Sequence, residues 1–120
     1  MYGEDKRLNH EKGERGEELA AAYLRGCGYT ILSRHYRFHR REIDIVAREG
    51  GCYVFIEVKA RSSTFFGYGY QAVDRTKQRS IRMAAEDYLL RHQLSLYETP
   101  CRFDIISVDG GTLRHYKNAF

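Results

Sequence analysis

Two predicted strands that meet at a hairpin carry charged residues in an otherwise apolar setting: Glu42 and Asp44 on the first strand, and Glu57 and Lys59 on the second. The first strand runs from Glu42 to Arg48 and the second from Cys52 to Ala60, with Glu49-Gly50-Gly51 as the turn between them. Strongly apolar residues flank the charges, and helices should partly cover the face on which the charges lie. Carboxylate and ammonium groups are costly in a half-buried position unless they pair or bind a cation. This hairpin therefore constrains both the sheet and the chemistry of the chain.

The rest of the chain alternates between helical and extended patterns. A helix is predicted after Gly13 and Gly16, because apolar residues then recur with helical period up to Cys27. Gly26 and Gly28 are expected to end it. The remaining predicted elements are a strand over Tyr29–Tyr36, a helix over Ala72–Arg91, and strands over Arg102–Val108 and Thr112–Tyr116. The order of helix, three strands, helix and two strands predicts an α/β or α+β fold with helices packed on a single sheet.

Length and charge set broad limits. A chain of 120 residues is expected to form a single domain over residues 1–120, with allowance for a disordered extension over residues 1–12. The formal net charge of +4 permits a polyanionic partner but does not require one, since the distribution of charge matters more than the total.

Targeting and cysteine patterns are plain. The charged N-terminus has no signal-peptide core, and no apolar run reaches the roughly 18 residues of a membrane span. Cys27, Cys52 and Cys101 form no Cys-x-x-Cys pair. They are read as reduced thiols rather than a disulfide framework or a zinc site. We therefore expect a cytoplasmic protein without membrane contact, and we interpret its five histidines as surface or half-buried residues without ligand spacing.

Strand alternation predicts which charges share a face. Residues two apart in a strand point to the same side. Glu57 and Lys59 should therefore share one face with Phe55, while Asp44 should share a face with Glu42 and Val46, opposite Ile43 and Ile45. With the expected hairpin register, Asp44 converges on Glu57 and Lys59, close enough for two carboxylates to hold one divalent ion. The alternative is an exposed face that carries a cross-strand salt bridge.

The helices add two charges to this group. On the first helix, Glu17 lies at the shoulder of the apolar stripe and Glu18 lies nearly opposite it, so Glu17 should lean toward the sheet and Glu18 should be solvated. Lys77 falls within the buried sector of the second helix. It either meets an anion there or extends past the edge of the core.

An ordered set of motifs resembles a known family. The bacterial YraN-like family, itself similar to the archaeal Holliday junction resolvases of the PD-(D/E)xK nuclease superfamily, is matched from about residue 12 to 108. Two departures stand out: Arg41 replaces a usual glycine, and His35 replaces a common asparagine; neither is expected to touch a proposed ligand. The matching motifs are Gly13-x-x-Gly16-Glu17-x-x-Ala20, Tyr23-Leu24, Gly28-Tyr29, Glu42-Ile43-Asp44-Ile45-Val46, Phe55-Ile56-Glu57-Val58-Lys59-x-Arg61, Phe66-Gly67, Lys77 and Arg102-Phe103-Asp104.

The resemblance implies an α/β fold with a restriction-endonuclease-like core, in which helices flank a central mixed sheet of about five strands. It also implies an endonuclease that hydrolyses phosphodiester bonds of structured or branched DNA with Mg²⁺ or Mn²⁺. Asp44 and Glu57 would be metal ligands and catalytic residues, Lys59 the lysine of the signature, and Glu17 the helical acid of the resolvases.

Nucleic-acid contact is expected from basic residues on both sides of this group. Arg34, Arg37, Arg40 and Arg41 are read as one basic turn beside Asp44, with Arg61 and Lys77 on the other side. An aromatic loop over Phe65–Tyr70 could stack on unpaired bases, pack on the core or form a dimer interface. A homodimer is plausible, because resolvases work as dimers. The other functional classes left open are a non-catalytic nucleic-acid-binding module and a structural protein whose acids form salt bridges.

Overall fold

Two helices and five strands make up the α/β fold of this chain. The computed structural model describes the backbone of residues 2–61 and 73–120, and the side chains of residues 13–60 and 73–120. No helix in these ranges is long and apolar enough to cross a membrane. The predicted order of elements is confirmed. The elements are α1 (Tyr2–Gly26), β1 (Thr30–Phe38), β2 (Arg41–Glu49), β3 (Cys52–Arg61), α2 (Arg75–Arg91), β4 (Cys101–Asp109) and β5 (Thr112–Tyr116).

The five strands form one mixed sheet in the order β1-β2-β3-β4-β5. The pairs β1–β2, β2–β3 and β4–β5 are antiparallel, whereas β3 and β4 are parallel and are joined through α2. Two parallel strands cannot be joined by a tight turn, because the chain must first return to the end of the sheet at which the previous strand began. The predicted α/β class is confirmed, and this arrangement is compatible with a restriction-endonuclease-like core.

Helix α1 packs on one face of the sheet. Its buried Ala20, Ala21 and Leu24 lie in one apolar cluster with Ile45 and Ile56 of the central strands. The small side chains let the helix approach the sheet closely. The approach is very close at Gly16, where an added Cβ atom would lie 2.6 Å from the Cβ of Ala60. The glycine is therefore required by close packing rather than by a turn.

Both ends of α1 can be compared with the prediction. Gly13 and Gly16 lie inside the helix, so the prediction that they precede it was wrong: the helical pattern continues N-terminally through both glycines. The prediction of a C-terminal glycine is confirmed, since Gly28 has φ +92° and the amide of Tyr29 bonds the carbonyl of Leu24 at 2.9 Å. Disorder over residues 1–12 stays a prediction, because the side chains before Gly13 lie outside the described set.

Helix α2 covers the opposite face. Asp74 caps its N-terminus by accepting a 2.8 Å hydrogen bond from the amide of Lys77, which explains why the helix begins at Arg75 and not at the predicted Ala72. Its buried face packs on Ile43, Val46, Phe55 and other residues of the sheet. The buried residues of this helix are Ile81, Ala84, Ala85, Tyr88 and Leu89.

A buried polar network fixes the start of β4. Asp104 is fully buried and accepts hydrogen bonds from Nε of Arg102 at 2.9 Å and from the amide of Asn118 at 2.9 Å, while Nε2 of His115 lies 2.7 Å from its Oδ2. These partners hold the pKa of Asp104 below its usual value, although burial alone would raise it. Arg102 also contacts Glu49 at 3.0 Å, so the network ties β4 to the β2–β3 hairpin.

Candidate metal centre

Strands β1 and β2, which carry His35 and Asp44, lose their regular alternation at the same level of the sheet. On β1, His35 has φ +56°, a left-handed conformation that non-glycine residues seldom adopt. On β2, Ile43 packs in the α2-side cluster whereas Ile45 packs in the α1-side cluster, although strict alternation would put both on one side. His35 and Asp44 lie between the paired positions Arg34↔Ile45 and Tyr36↔Ile43. The sheet is therefore distorted where these two side chains face each other.

This distortion corrects the predicted faces of β2. Ile43 and Val46 share the α2 side and Ile45 lies on the α1 side, so the grouping of Asp44 with Val46, opposite Ile43 and Ile45, was wrong. The prediction assumed a regular pleat, whereas the left-handed residue on the neighbouring strand interrupts it. The β3 faces agree with the prediction: Phe55 packs on α2, while Val54 and Ile56 pack on α1.

Asp44 lies where β2 and β3 separate. The β2–β3 pairing runs from Glu49↔Cys52 to Ile45↔Ile56 and does not continue to Asp44. In place of a further ladder bond, the amide of Val58 donates a 2.8 Å hydrogen bond to Oδ2 of Asp44. This bond holds the Asp44 carboxylate in the gap between the strands. From there its charge raises the pKa of Glu57 on β3 and of Glu17 on α1.

Glu57 is the most buried of the candidate acids. Its side chain is 6% exposed, and its Oε1 atom has no hydrogen-bond partner in the described part of the chain. Burial, followed by the charge of Asp44, raises the pKa of Glu57 to about 8, although Lys77 and Lys59 act to lower it. The ammonium groups of Lys59 and Lys77 each lie 3.6 Å from Oε2 of Glu57. Glu57 and Lys59 lie together, as expected of residues that share one face of the strand, and of the two alternatives for Lys77 the structure has the one in which it meets an anion.

Glu17 brings a third carboxylate from α1. Its side chain is 14% exposed, against 69% for Glu18, as the helix geometry predicts. Burial raises the pKa of Glu17, and Asp44 raises it further, while His35 and Arg34 lower it. Its Oε1 atom is buried and lies 2.7 Å from Nε2 of His35. This is an ion-pair distance, and no donor among the described residues meets Oε1 with hydrogen-bond geometry. The Glu17 oxygen and the His35 nitrogen are close enough to bind one cation together.

His35 lies beside the candidate site, 2.7 Å from the predicted helical acid Glu17. Its expected lack of contact with the proposed ligands Asp44 and Glu57 stays a prediction. Ligand atoms of Glu17, His35 and Asp44 all lie within 4.8 Å of one another. The sequence offers no metal-ligand spacing for this histidine, because it reaches the site through a left-handed backbone turn in a strand. The one available signal was its position where asparagine is common, since asparagine is also tolerant of positive φ.

The predicted basic turn is divided into two groups. Arg34 lies 3.0 Å from Glu18 and 3.6 Å from Glu17, and Arg37 lies 2.9 Å from Glu42, so carboxylates neutralise both. Arg40 and Arg41 instead line a separate groove against α2. The prediction of a single basic turn beside Asp44 was therefore wrong: Arg34 and Arg37 belong to β1 and pair with acids, whereas Arg40 and Arg41 lie at the β1–β2 turn and face α2. The side chain of Arg61 and the aromatic loop Phe65–Tyr70 lie outside the described residues.

An open groove of about 900 Å³ leads to the α1 side of the site. Glu17, Arg34 and His35 lie along its wall, so an extended ligand can reach Glu17 from solvent, whereas Asp44 and Glu57 are not among the lining residues of this groove. The full lining is Glu14, Arg15, Glu17, Glu18, Leu19, Arg34 and His35.

The donor set fits a divalent cation. Glu17, His35 and Asp44 form the cluster whose ligand atoms lie within 4.8 Å of one another, and Glu57 is not a member of it among the described residues. Glu57 is close enough to Asp44 for the Asp44 charge to raise its pKa. The carboxylate oxygens of these residues are ligands that Mg²⁺ and Mn²⁺ prefer. His35 adds an imidazole, a ligand better suited to Mn²⁺ than to Mg²⁺. A cation would also favour the ionised form of Glu57, which burial disfavours. Assignment of these residues as metal ligands nonetheless stays a prediction.

Comparison with known proteins agrees with the motifs. The model described as "Uncharacterised protein family UPF0102" matches residues 16–108. A UPF0102 protein of Persephonella marina is 42% identical over 91% of this chain and 92% of its own length. A UPF0102 protein of Shewanella sediminis is 38% identical over the whole of both chains, and one of Chlorobium chlorochromatii is 44% identical over 92% and 91%. This chain therefore belongs to the UPF0102 family, which confirms the YraN-like resemblance of its motifs.

Proposed function

We propose that this protein is a metal-dependent endonuclease that hydrolyses phosphodiester bonds of structured or branched DNA. The observation that carries the proposal is the Asp44–Glu57 pair beside two lysines. A buried glutamate whose pKa is raised to about 8 by burial and by a neighbouring carboxylate is costly to the fold when ionised. Such an arrangement is common at functional sites and has no evident structural use.

Asp44 and Glu57 would hold the cation, with Glu17 and His35 completing its surroundings. A bound divalent ion lowers the pKa of a water molecule and neutralises charge on the scissile phosphate. The protein's own contribution is positional. The Val58 amide fixes Asp44 at 2.8 Å, and the buried setting of Glu57 keeps its carboxyl from turning to solvent.

The lysines provide positive charge where the reaction develops negative charge. Lys59 and Lys77 both approach Oε2 of Glu57, and a phosphate entering the site would meet two ammonium groups. Such charges stabilise a phosphoryl-transfer transition state because they are already oriented. Lys59 would orient the attacking water or stabilise the developing charge, and Lys77 would contact the phosphate.

The test is cleavage of labelled flap, junction and duplex DNA with Mg²⁺ or Mn²⁺. Asp44→Asn and Lys59→Ala are expected to abolish cleavage, because each removes one element of the proposed centre. Glu86→Gln is the matched control: Glu86 is exposed on α2 and does not line the groove, so its removal should leave the rate unchanged. Circular dichroism and thermal unfolding establish that each variant is folded.

Two results would overturn the proposal. One is a highly purified wild-type protein that cleaves none of these substrates with either metal. The other is residual cleavage that is equal in wild type and in Asp44→Asn, since this would identify a contaminating nuclease. Calorimetric titration with Mn²⁺ distinguishes a nuclease from a non-catalytic binding module. A nuclease should bind Mn²⁺ as wild type and lose that binding in Glu57→Ala, whereas a binding module needs no cation.

A further inference from the structure

A second groove lies on the α2 side, between the β1–β2 turn and the first half of α2. Its volume is about 540 Å³. We call it the arginine groove; its lining residues are His39, Arg40, Arg41, Thr76, Arg79, Ser80 and Met83. Two separate segments supply its cations, so the groove depends on the tertiary fold and not on a local run of basic residues.

The arginines of the groove have no acidic ion-pair partner in the part of the chain that the structure describes. Within the described ranges, no carboxylate forms an ion pair with Arg40, Arg41 or Arg79, in contrast to Arg34 and Arg37. The nearby Asp87 is already engaged by Arg91 at 3.0 Å and by the hydroxyl of Tyr36 at 2.5 Å. Three like charges around one concavity repel each other unless an anion is bound.

The first two turns of α2 supply hydrogen-bond donors to the groove. The carboxylate of Asp74 already caps the start of this helix, so the guanidinium and hydroxyl groups, and not the helix dipole, provide the positive potential. Thr76 and Ser80 place hydroxyl groups on the wall of the groove, and these can donate to phosphate oxygens. Guanidinium groups match phosphate geometry with paired donors. The groove therefore has the donors of a phosphate site, and its volume exceeds that of a single small anion.

The arginine groove adjoins the candidate metal centre. Lys77 follows Thr76 on α2, and its ammonium lies 3.6 Å from Glu57. A nucleic-acid strand with one phosphate at Lys77 and Glu57 would thus continue along α2 into the arginine groove.

We propose that the arginine groove binds the sugar–phosphate backbone of the nucleic acid next to the bond to be cleaved, without regard to base sequence. The identity of the polyanion rests on the proposed function, whereas the anion site stands on the groove itself. Contacts of this kind position a nucleic acid and make its affinity depend on salt.

The experiment is an anisotropy titration of fluorescent flap DNA in the presence of a chelator, so that binding is measured without cleavage. The double variant Arg40→Ala/Arg79→Ala is compared with Arg25→Ala/Arg48→Ala, which removes the same charge. Arg25 and Arg48 are also exposed, and Arg48 lies at the opposite end of β2 from Arg41. Each dissociation constant is measured over a series of salt concentrations.

The groove variant is expected to raise the dissociation constant by about tenfold or more at low salt and to reduce the salt slope by about two, one for each lost phosphate contact. The control variant should match the wild type. Equal weakening in both variants, or wild-type affinity in the groove variant, would overturn the proposal. Wild type that binds through the groove but never cleaves would overturn the nuclease function and leave the groove intact. Cleavage by wild type together with unaltered DNA binding in the groove variant would overturn the proposed role of the groove and leave the nuclease function intact.

Discussion

The amide of Val58 donates a 2.8 Å hydrogen bond to the carboxylate of Asp44 at the point where β2 and β3 separate. A backbone donor thus replaces a strand–strand bond with a strand–side-chain bond. The exchange satisfies the amide and orients an acid that the ladder would otherwise leave free to rotate. It also places Asp44 between Glu57 on one side and Glu17 with His35 on the other.

Glu57 makes the stability of the metal-free protein dependent on pH. Its pKa is about 8 in the folded protein against 4.5 as the ordinary value, so the folded state binds the proton more tightly. The resulting stability is fully present below pH 4.5 and is lost as the pH rises through about 8. Glu57→Gln removes this dependence. The free energy of unfolding, measured by urea titration, should fall with pH by up to about 1.4 kcal/mol per unit more in wild type than in the variant.

Divalent metal provides the companion measurement for Glu57. A cation that binds the ionised carboxylate should raise the unfolding free energy of wild type above pH 8, and should do so less for Glu57→Gln. Parallel pH profiles for the two proteins in the absence of metal would contradict the assigned role of Glu57.

Neighbouring glutamates on α1 should differ in their effect on metal binding. Glu17 is 14% exposed and close to His35, whereas Glu18 is 69% exposed and pairs with Arg34. Glu17→Gln is expected to weaken Mn²⁺ binding by about 10- to 100-fold, the usual effect of losing a supporting carboxylate. Isothermal titration with Mn²⁺ measures this, and Glu18→Gln should retain wild-type affinity. Equal losses in the two variants would indicate an effect of overall charge.

His35 should influence which metal is preferred. Its φ of +56° suits asparagine, so His35→Asn preserves the strand conformation while removing the imidazole. Because imidazole favours Mn²⁺ over Mg²⁺, the ratio of the two affinities should fall in the variant. Competition titration gives the ratio directly. An unchanged ratio would mean that His35 only orients Glu17.

Gly16 should be intolerant of alanine, whereas Gly13 should accept it. A Cβ on Gly16 would lie 2.6 Å from the Cβ of Ala60, while a Cβ on Gly13 would have nothing within 4 Å. Gly16→Ala is expected to lower the free energy of unfolding by about 1–3 kcal/mol through overpacking. Gly13→Ala should raise it by up to about 1 kcal/mol, since alanine is the better helix former. Thermal and urea unfolding of the pair compare the two effects in one helix, and a loss in both variants would rule out the packing explanation.

Much of the architecture was predictable because it depends on local pattern. The Gly50-Gly51 hairpin, the apolar face of α2 and the C-terminal glycine of α1 each follow from signals within a few residues. Strand parity on β3 correctly placed Glu57 beside Lys59, and helix geometry distinguished Glu17 from Glu18. The buried network around Asp104 was not predictable in this way, because it joins Arg102 and Asp104 of β4 to His115 of β5 and to Glu49 of β2.

The sequence by itself determined the order of elements and the acids and lysines that carry the candidate chemistry, since periodicity and motif spacing are properties of the chain. Only the tertiary structure decided how those groups meet. Asp44 reaches the other acids because the pleat breaks opposite His35, and Glu57 acquires its raised pKa because the fold removes it from water. Both effects arise from contacts between distant segments, and periodicity carries no record of them.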